Sequence, residues 1–250
     1  MESGKILRNS QIIFLGLFIA AGTIISTAIL SKALLQIKKF TSEVINVTGS
    51  AEKQIISDYA TWKVSFGRIA PEITVAFSSV EKDLKVVNEY LTSKGFSSNE
   101  IIISQVYTET LYKRDHKGYS TNEIEGYRLT QTIEVRSTDV QKVTEVSRKS
   151  TELIIQGIAL ISDPPQYFYT KLSTLKLEML AQATEDAKNR AEQMAKATGS
   201  KVGAIHSADM GVFQITPVNS YEVSSWGVND TSSLEKKVTA VVHADFGVSK

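Results

Sequence analysis

The sequence contains no cysteine among its 250 residues. This absence excludes a disulfide framework, a thiolate nucleophile and any metal site built on cysteine ligands. It fits an oxidising compartment, where a free thiol is a hazard, but it does not by itself locate the protein.

Motifs of nucleotide-binding proteins and hydrolases are also missing. The scattered glycines form neither a P-loop nor a G-x-G-x-x-G fingerprint, and no G-x-S-x-G elbow is present. Only three histidines occur. One of them, His116, follows Asp115 in a charged stretch, but two ligands without a third do not make a metal site.

The other two histidines lie in predicted strands near the C-terminus. His206 and His243 would approach each other if those strands pair. A triad can be written from Ser207, His206 and Asp209, but neighbouring residues on a strand point in opposite directions. We therefore predict no catalytic residue, no metal and no cofactor, and an enzyme with an unrecognised site remains an alternative.

Charge is nearly balanced, with a formal net charge of +1. Residues 1–40 carry five basic side chains and one acidic side chain, whereas the remainder carries 23 basic and 26 acidic ones. A mildly acidic body is not suited to a polyanion, so nucleic acid is excluded as a partner. The run Tyr112–Lys117 mixes basic residues with an aromatic one, which predicts a solvated hairpin tip, or alternatively a contact with anionic lipid or a partner.

The longest uncharged run covers Ile12–Leu30, 19 residues. As a helix it would span about 28 Å, close to the ~30 Å hydrocarbon core of a bilayer. A cleaved signal sequence, with cleavage after Ala33, is the alternative. The length of the run and Lys32 favour an uncleaved anchor. Basic residues flank both ends, so charge does not decide the orientation.

Small residues share one face of this predicted membrane helix. Gly16, Ala20, Thr23 and Thr27 recur at spacings of four, three and four. Because helices in lipid gain packing energy by close approach at small residues, this face predicts self-association. The alternative is that such residues are simply common in membrane helices.

The remaining pattern predicts an α+β fold. It would be a mainly antiparallel sheet with helices packed on one face, preceded by one N-terminal transmembrane helix. Helices are predicted from Pro71 to Gly95, from Val140 to Leu153 with Thr138 and Gln141 as a capping box, and over 172–199 with an alanine stripe. Strands are predicted over 43–54, 57–69, 100–112, 124–136, 157–163, 201–209 and 234–248, with a loop at about 217–233.

Four segments together resemble the SIMPL-domain family of bacterial envelope proteins. They are INVTGSAEKQIISDYATWKVSF, LTSKGFSSNEIIIS, IEGYRLTQTIEVRSTD and AQATEDAKNRAEQMAKATGSKVG. The resemblance spans about residues 43–248, and it rests on the order and spacing of the segments because no single motif is specific. Ser50 departs from the pattern where glycine is frequent, which puts only the local turn in doubt.

The resemblance implies export, with the N-terminus in the cytoplasm and the body outside. It also implies homo-oligomerisation and envelope or oxidative-stress phenotypes, without established catalytic residues. The residues that match the family motifs are expected to be architectural, and they are Gly49, Asp58, Gly126, Tyr127, Gly199 and Gly203.

We therefore expect a cytoplasmic tip, anchor and stalk over residues 1–40 and a SIMPL-like domain over residues 41–250. The expected function is a non-enzymatic scaffold or ring, anchored in the bacterial inner membrane with its body in the periplasm. Expected partners are the lipid bilayer through Ile12–Leu30, further copies of the chain and an envelope protein. The alternative function is a periplasmic binding module that presents a groove to a peptide or small ligand.

Overall fold

The computed structural model describes residues 3–42 and 44–249, with side chains described for residues 13–37 and 44–249. The described part contains five helices, which are α1 Ser3–Ser42, α2 Ile73–Ser93, α3 Val140–Lys149, α4 Glu152–Ile155 and α5 Leu172–Ala197. It also contains ten strands, which are β1 Val44–Ile56, β2 Tyr59–Ala70, β3 Ile101–Ile103, β4 Tyr107–Arg114, β5 Ser120–Ser137, β6 Leu160–Ser162, β7 Gln166–Phe168, β8 Lys201–Met210, β9 Gln214–Pro217 and β10 Glu235–Ser249.

The chain divides into two compact units, and the larger one comprises Glu52–Met179 and Val212–Ala240. Its main sheet has the strand order β3-β5-β2-β6, with β4 also paired to β5 and β7 also paired to β2. All of these pairings are antiparallel. Within the same unit, β9 pairs antiparallel with the first residues of β10.

The core of the larger unit lies between this sheet and helices α2 and α3, which both contact β2 and β5. Strand period puts every second residue of β2 and β5 on the buried face. The buried residues there are Ala60, Trp62, Val64, Phe66, Leu129, Ile133 and Val135. The indole of Trp62 donates to Ser162 Oγ at 2.9 Å, so the largest buried side chain keeps its polar group paired.

A charged pair stabilises the packing of α2. Asp83 lies on the buried face of the helix, and Arg68 of β2 donates two hydrogen bonds to its carboxylate, at 2.6 and 2.8 Å. The same guanidinium donates to Gly157 O at 2.8 Å. Asp83 raises the pKa of Arg68 through the hydrogen bond. A buried carboxylate is tolerated here because its partner is bidentate.

The smaller unit comprises Met1–Ala51, Leu180–Gly211 and Val241–Lys250. Its strand segments follow the order β1-β10-β8, and β8 pairs antiparallel with β10. The second part of α5 presents a fully buried alanine face, consisting of Ala183, Ala187 and Ala191. Gly49 of β1 meets this face so closely that a Cβ atom there would lie 2.1 Å from Ala183 O.

The predicted fold class is confirmed. The structure is α+β with antiparallel sheets and an N-terminal apolar helix that is long enough to span a membrane. The 100–112 strand prediction is wrong in detail, because β3 and β4 are separate strands divided by residues 104–106. The short strand β9 was not predicted, since its four residues, which end at Pro217, carry little periodic signal.

Two helix boundaries also differ from the sequence prediction. The helix predicted from Val140 to Leu153 ends at Lys149, where the hydroxyl of the buried Ser150 donates to Ser147 O at 2.7 Å. Such hydroxyl–carbonyl bonds compete with continuation of the helix. Asp139, rather than a Thr138 capping box, caps its start by accepting from Lys142 N at 3.0 Å.

Helix α2 begins at Ile73 rather than at Pro71. The N-cap residue is Glu72, whose backbone is extended, with φ −109° and ψ 133°. Because the N-cap residue keeps non-helical dihedrals, the first helical position follows it, two residues after the proline.

We expect Gly49→Ala to lower the free energy of unfolding by about 3 kcal/mol, the upper range for overpacked sites. The added methyl would meet backbone atoms of α5, which cannot move as a flexible side chain would. Gly211→Ala is the matched control, because its added Cβ atom would lie at an ordinary contact distance of 3.4 Å from Val241 O. This substitution should change the free energy of unfolding by less than about 0.5 kcal/mol. Urea denaturation of the full-length protein in detergent measures both, and equal stabilities would contradict the close approach.

Candidate functional site

The apolar part of α1 is the first candidate site. Residues Ile13–Ile37 form a 25-residue helical segment that is apolar enough to cross a membrane, and none of it is buried. The expected run Ile12–Leu30 is therefore extended by seven residues, while the side chain of Ile12 lies outside the described ones. Length and composition fit a membrane anchor, and an N-terminal signal sequence would pass the same test.

The small-residue face of α1 carries internally satisfied hydroxyl groups. Thr23 donates to Ala20 O at 2.9 Å, and Thr27 donates to Thr23 O at 2.7 Å. A Cβ atom at Gly16 would meet nothing within 4 Å. In lipid, where no water can pair a hydroxyl group, these intrahelical bonds remove the cost of burying the two threonines.

His206 and His243 do not lie opposite each other, although their strands pair. Strands β8 and β10 pair, but His243 lies opposite Asp209 in the register. Its Nδ1 atom is 2.9 Å from Thr48 Oγ1. His206 adjoins Gly247, where a Cβ atom would lie 2.8 Å from the ring. Among the side chains of residues 13–37 and 44–249, no group of three acidic or histidine side chains could hold a metal ion.

Ser207 faces a carboxylate. Its hydroxyl donates to Asp245 Oδ2 at 2.6 Å, and Asn46 Nδ2 donates to the other carboxylate oxygen. These hydrogen bonds lower the pKa of Asp245. The register places Ser207 opposite Asp245 and Asp209 opposite His243. His206 lies between Ser207 and Ile205 on the strand and points to the other face from Ser207 and Asp209, so the written triad of Ser207, His206 and Asp209 has no geometric support.

The run Tyr112–Lys117 forms the tip of the β4–β5 hairpin, as expected. Asp115 Oδ1 accepts from the backbone N–H groups of Lys117 and Tyr119, both at 2.9 Å. Gly118 completes the turn with a φ of +86°. The carboxylate beside His116 thus orders the turn, in the manner of an Asx motif.

The family-motif residues of the larger unit occupy close contacts and a turn. A Cβ atom at Gly126 would lie 2.7 Å from Ala70 O, and the neighbouring Tyr127 packs half-buried against the core. Asp58 accepts from Thr170 N at 2.7 Å and from Thr170 Oγ1 at 2.8 Å. It thereby fixes the segment that leads into α5.

In the smaller unit, Gly199 follows the end of α5 with a φ of +71°, a conformation that glycine adopts without strain. A Cβ atom at Gly203 would lie 3.3 Å from Gly247 O. With Gly49, these positions are places where the backbone needs glycine for conformation or for close approach.

A buried lysine is the main feature that sequence reasoning missed. Lys236 is only 3% exposed, and its ammonium group donates to Tyr167 O at 2.6 Å and to Asp230 O. Burial lowers the pKa of Lys236, and the charge of Asp230 opposes this shift. The sequence did contain a signal for this burial, because Lys236 is in phase with the buried Val238, Ala240 and Val242 along β10.

Lys236 borders a small, partly open cavity of about 110 Å³ in the larger unit. Its walls are mainly apolar and aromatic, and they include Ile55, Tyr167, Phe168, Tyr169, Leu172 and Ile215. The ammonium group joins the carbonyl of β7 to that of the segment before β10. The arrangement serves as a structural clamp, because two carbonyl oxygens already pair with the charge.

A wider apolar groove lies at the start of α2. Ile73 and Phe77 belong to the apolar stripe of the helix, and both are exposed. With Thr74, they line a space of about 380 Å³ whose other walls are Val106, Thr108 and Leu129. This groove has the chemistry of a site for an apolar side chain.

The loop of residues 218–228 presents the third feature. A buried amide, Gln214, donates to Ser224 O at 2.8 Å and accepts from Val228 N at 2.9 Å. Within this framework Tyr221, Val223 and Trp226 project into solvent.

The other shifted pKa values of the larger unit have local causes. Arg136 lowers the pKa of Glu134 through two hydrogen bonds, each 3.1 Å long. Hydrogen bonds from Ser137 and Ser97 lower the pKa of Glu100, and burial raises the pKa of Tyr90 to about 12.

A family model named SIMPL, described as a protein of unknown function (DUF541), matches residues 45–246. Because the match covers most of the chain, the protein belongs to the SIMPL family, as its sequence motifs indicated. A search of the curated proteins finds none that matches the chain.

We expect Lys236→Met to lower the free energy of unfolding at pH 7 by about 1–3 kcal/mol, because two buried carbonyl oxygens lose their donor. Lys63→Met, at an exposed position of β2, is the matched control and should change it by less than about 0.5 kcal/mol.

The loss of stability caused by Lys236→Met should also depend on pH. Between the lowered folded pKa of Lys236 and its ordinary value of 10.5, the unfolded chain binds more protons. The wild-type protein therefore gains stability in this window as pH rises, and the variant does not. Urea denaturation at pH 7 and pH 9.5 should show a larger difference at pH 9.5. A difference that shrinks with pH would contradict the lowered pKa.

Proposed function

We propose that this SIMPL-family protein is a non-enzymatic, membrane-anchored scaffold of the cell envelope that assembles into a homo-oligomer or ring. In this proposal it crosses the bacterial inner membrane once, with its N-terminus in the cytoplasm and its body in the periplasm. The observation that carries the proposal is the uncovered apolar segment Ile13–Ile37, which ends seven residues before β1.

Lipid is the natural cover for this segment. At 1.5 Å per residue, 25 residues span about 38 Å, enough to cross a ~30 Å hydrocarbon core with some tilt. Large side chains such as Phe18 and Ile24 are exposed all around the helix, whereas a core helix would bury at least one face. The orientation and the link to envelope stress rest on the family resemblance.

A non-enzymatic role is supported by the local causes of the shifted pKa values. Arg68 is paired with Asp83, Glu134 is paired with Arg136, and the pKa of Tyr90 is raised mainly by burial. A catalytic set would instead bring a nucleophile, a base and an orienting group to one cleft.

We expect the full-length protein to stay in the membrane fraction after alkaline carbonate extraction, and its body to be cleaved by protease added to intact spheroplasts. Carbonate removes peripheral proteins but not a helix held by apolar burial. A soluble body with a new N-terminus near Leu34 would show that the segment is a cleaved signal sequence.

Self-association is supported by two separate surfaces. The small-residue face of α1 is uncovered in the single chain, with free space around Gly16. Strand β8 lies at one end of the strand order of its sheet and exposes Ile205 and Met210. A ten-residue edge strand offers unpaired backbone groups to a neighbour. Copies anchored in one plane would close into a ring more readily than grow as fibres.

We expect mass measurement in detergent to show several chains, and Gly16→Leu with Ala20→Leu to shift the population toward monomer. The larger side chains would prevent close helix approach. Ala21→Leu with Ala28→Leu is the matched control, because it adds nearly the same bulk on a face about 120° away around the helix. A wild-type protein that is monomeric at micromolar concentration would refute the oligomer.

A binding module is the second candidate function, and the apolar groove formed by Ile73, Phe77 and Val106 favours it. Its occupant would be an apolar side chain of a peptide or a small apolar ligand. Native mass spectrometry separates the two functions, because a ligand that copurifies in equal amount with each chain would favour the binding module.

A further inference from the structure

The loop of residues 218–228 exposes three large apolar side chains. Trp226 is 93% exposed, Tyr221 is 92% exposed and Val223 is 77% exposed. Trp226 is the most exposed large hydrophobic side chain in the part of the chain that the structure describes. Both Trp and Tyr normally bury their rings at least in part. This arrangement therefore indicates a surface that is covered by a binding partner or by lipid.

The loop is held in one conformation by hydrogen bonds. The buried Gln214 amide bonds three of its backbone groups, on Ser224 and Val228. Gly227 adopts a φ of +85°, where a Cβ atom would lie 2.9 Å from Phe213 O. Lys237 Nζ lies 5.2 Å from the centre of the Tyr221 ring. The loop that carries the apolar side chains is therefore already ordered, so binding costs little further conformational entropy.

We propose that this loop inserts into the lipid–water interface of the membrane that anchors the chain, an inference that rests on the proposed anchoring. Trp and Tyr are the residues enriched at that interface, where the ring body enters the acyl region and the polar group stays among the headgroups. The body begins seven residues after the span, so an anchored chain holds its body close to a bilayer, at high effective concentration.

The shape and charge of the loop favour lipid over a second protein surface. Glu222 separates Tyr221 from Val223, and Ser224 and Ser225 separate Val223 from Trp226, so polar residues interrupt the apolar surface. A protein hot spot needs a surrounding rim that excludes water, whereas a bilayer accepts isolated tips. Glu222 is the only charged residue between positions 218 and 228. Binding is therefore apolar and directed to zwitterionic lipid, and salt does not weaken it.

Tryptophan fluorescence of the full-length protein in phosphatidylcholine liposomes tests this proposal. The chain has two tryptophans, and Trp62 is buried. Subtracting the emission of Trp226→Phe from that of the wild-type protein therefore isolates Trp226. We expect lipid with brominated acyl chains to quench most of the Trp226 emission, and iodide on both sides of the membrane to quench little. This result should be the same at low and high salt.

Two variants and one separation step make the outcomes distinct. Tyr221→Ser with Val223→Ser should reduce quenching by brominated lipid, whereas Tyr119→Ser, at an exposed ring in another loop, should not. Quenching by iodide alone, or by neither agent, would place Trp226 in water or against protein, and either result overturns the proposal. Flotation of carbonate-washed liposomes tests the anchor separately. Protein that does not float refutes the anchor together with the loop, whereas floating protein with unquenched Trp226 refutes the loop alone.

Discussion

Strands β2 and β5 pair over eleven residue pairs, from Ala60↔Ser137 to Ala70↔Tyr127. Every other strand of the six-stranded sheet pairs with one of these two, and helices α2 and α3 pack on both. The ladder therefore fixes the buried face of the larger unit. A register slip of one residue would turn Trp62, Val64 and Ile133 toward solvent. Trp62 and its partner Val135 form the third pair of this ladder, and both are buried.

Much of this fold could be predicted because its signals are local. The alternation from Tyr127 to Arg136 and the 3.6-residue stripe of α2 report burial directly. Features that depend on distant partners could not be predicted. Asp83 lies on a buried helix face only because Arg68 of another strand reaches it. Ile73 and Phe77 continue the apolar stripe but remain exposed at the start of α2.

The candidate sites also divide into features that the local sequence reveals and features that depend on distant partners. The apolar run of α1 is visible in the sequence because it needs no tertiary partner. The histidines gave a false expectation, since pairing of β8 with β10 sets His243 opposite Asp209. Lys236 was overlooked because lysine is normally a surface residue. Only the structure supplies the two carbonyl oxygens that make its burial acceptable. Exposure of Trp226 likewise depends on the Gln214 amide, which no spacing rule reveals.

The smaller unit joins the two ends of the body. Strand β1 neighbours β10, and the hydrogen bond from Asn46 to Asp245 links residues 199 positions apart. At a synthesis rate of about 5–20 residues per second, β10 follows β1 after about 10–40 s. Throughout that time β1 lacks β10, the strand that it neighbours in the described part of the chain. The segment that follows the apolar helix is therefore among the last to fold, although it is made well before β10.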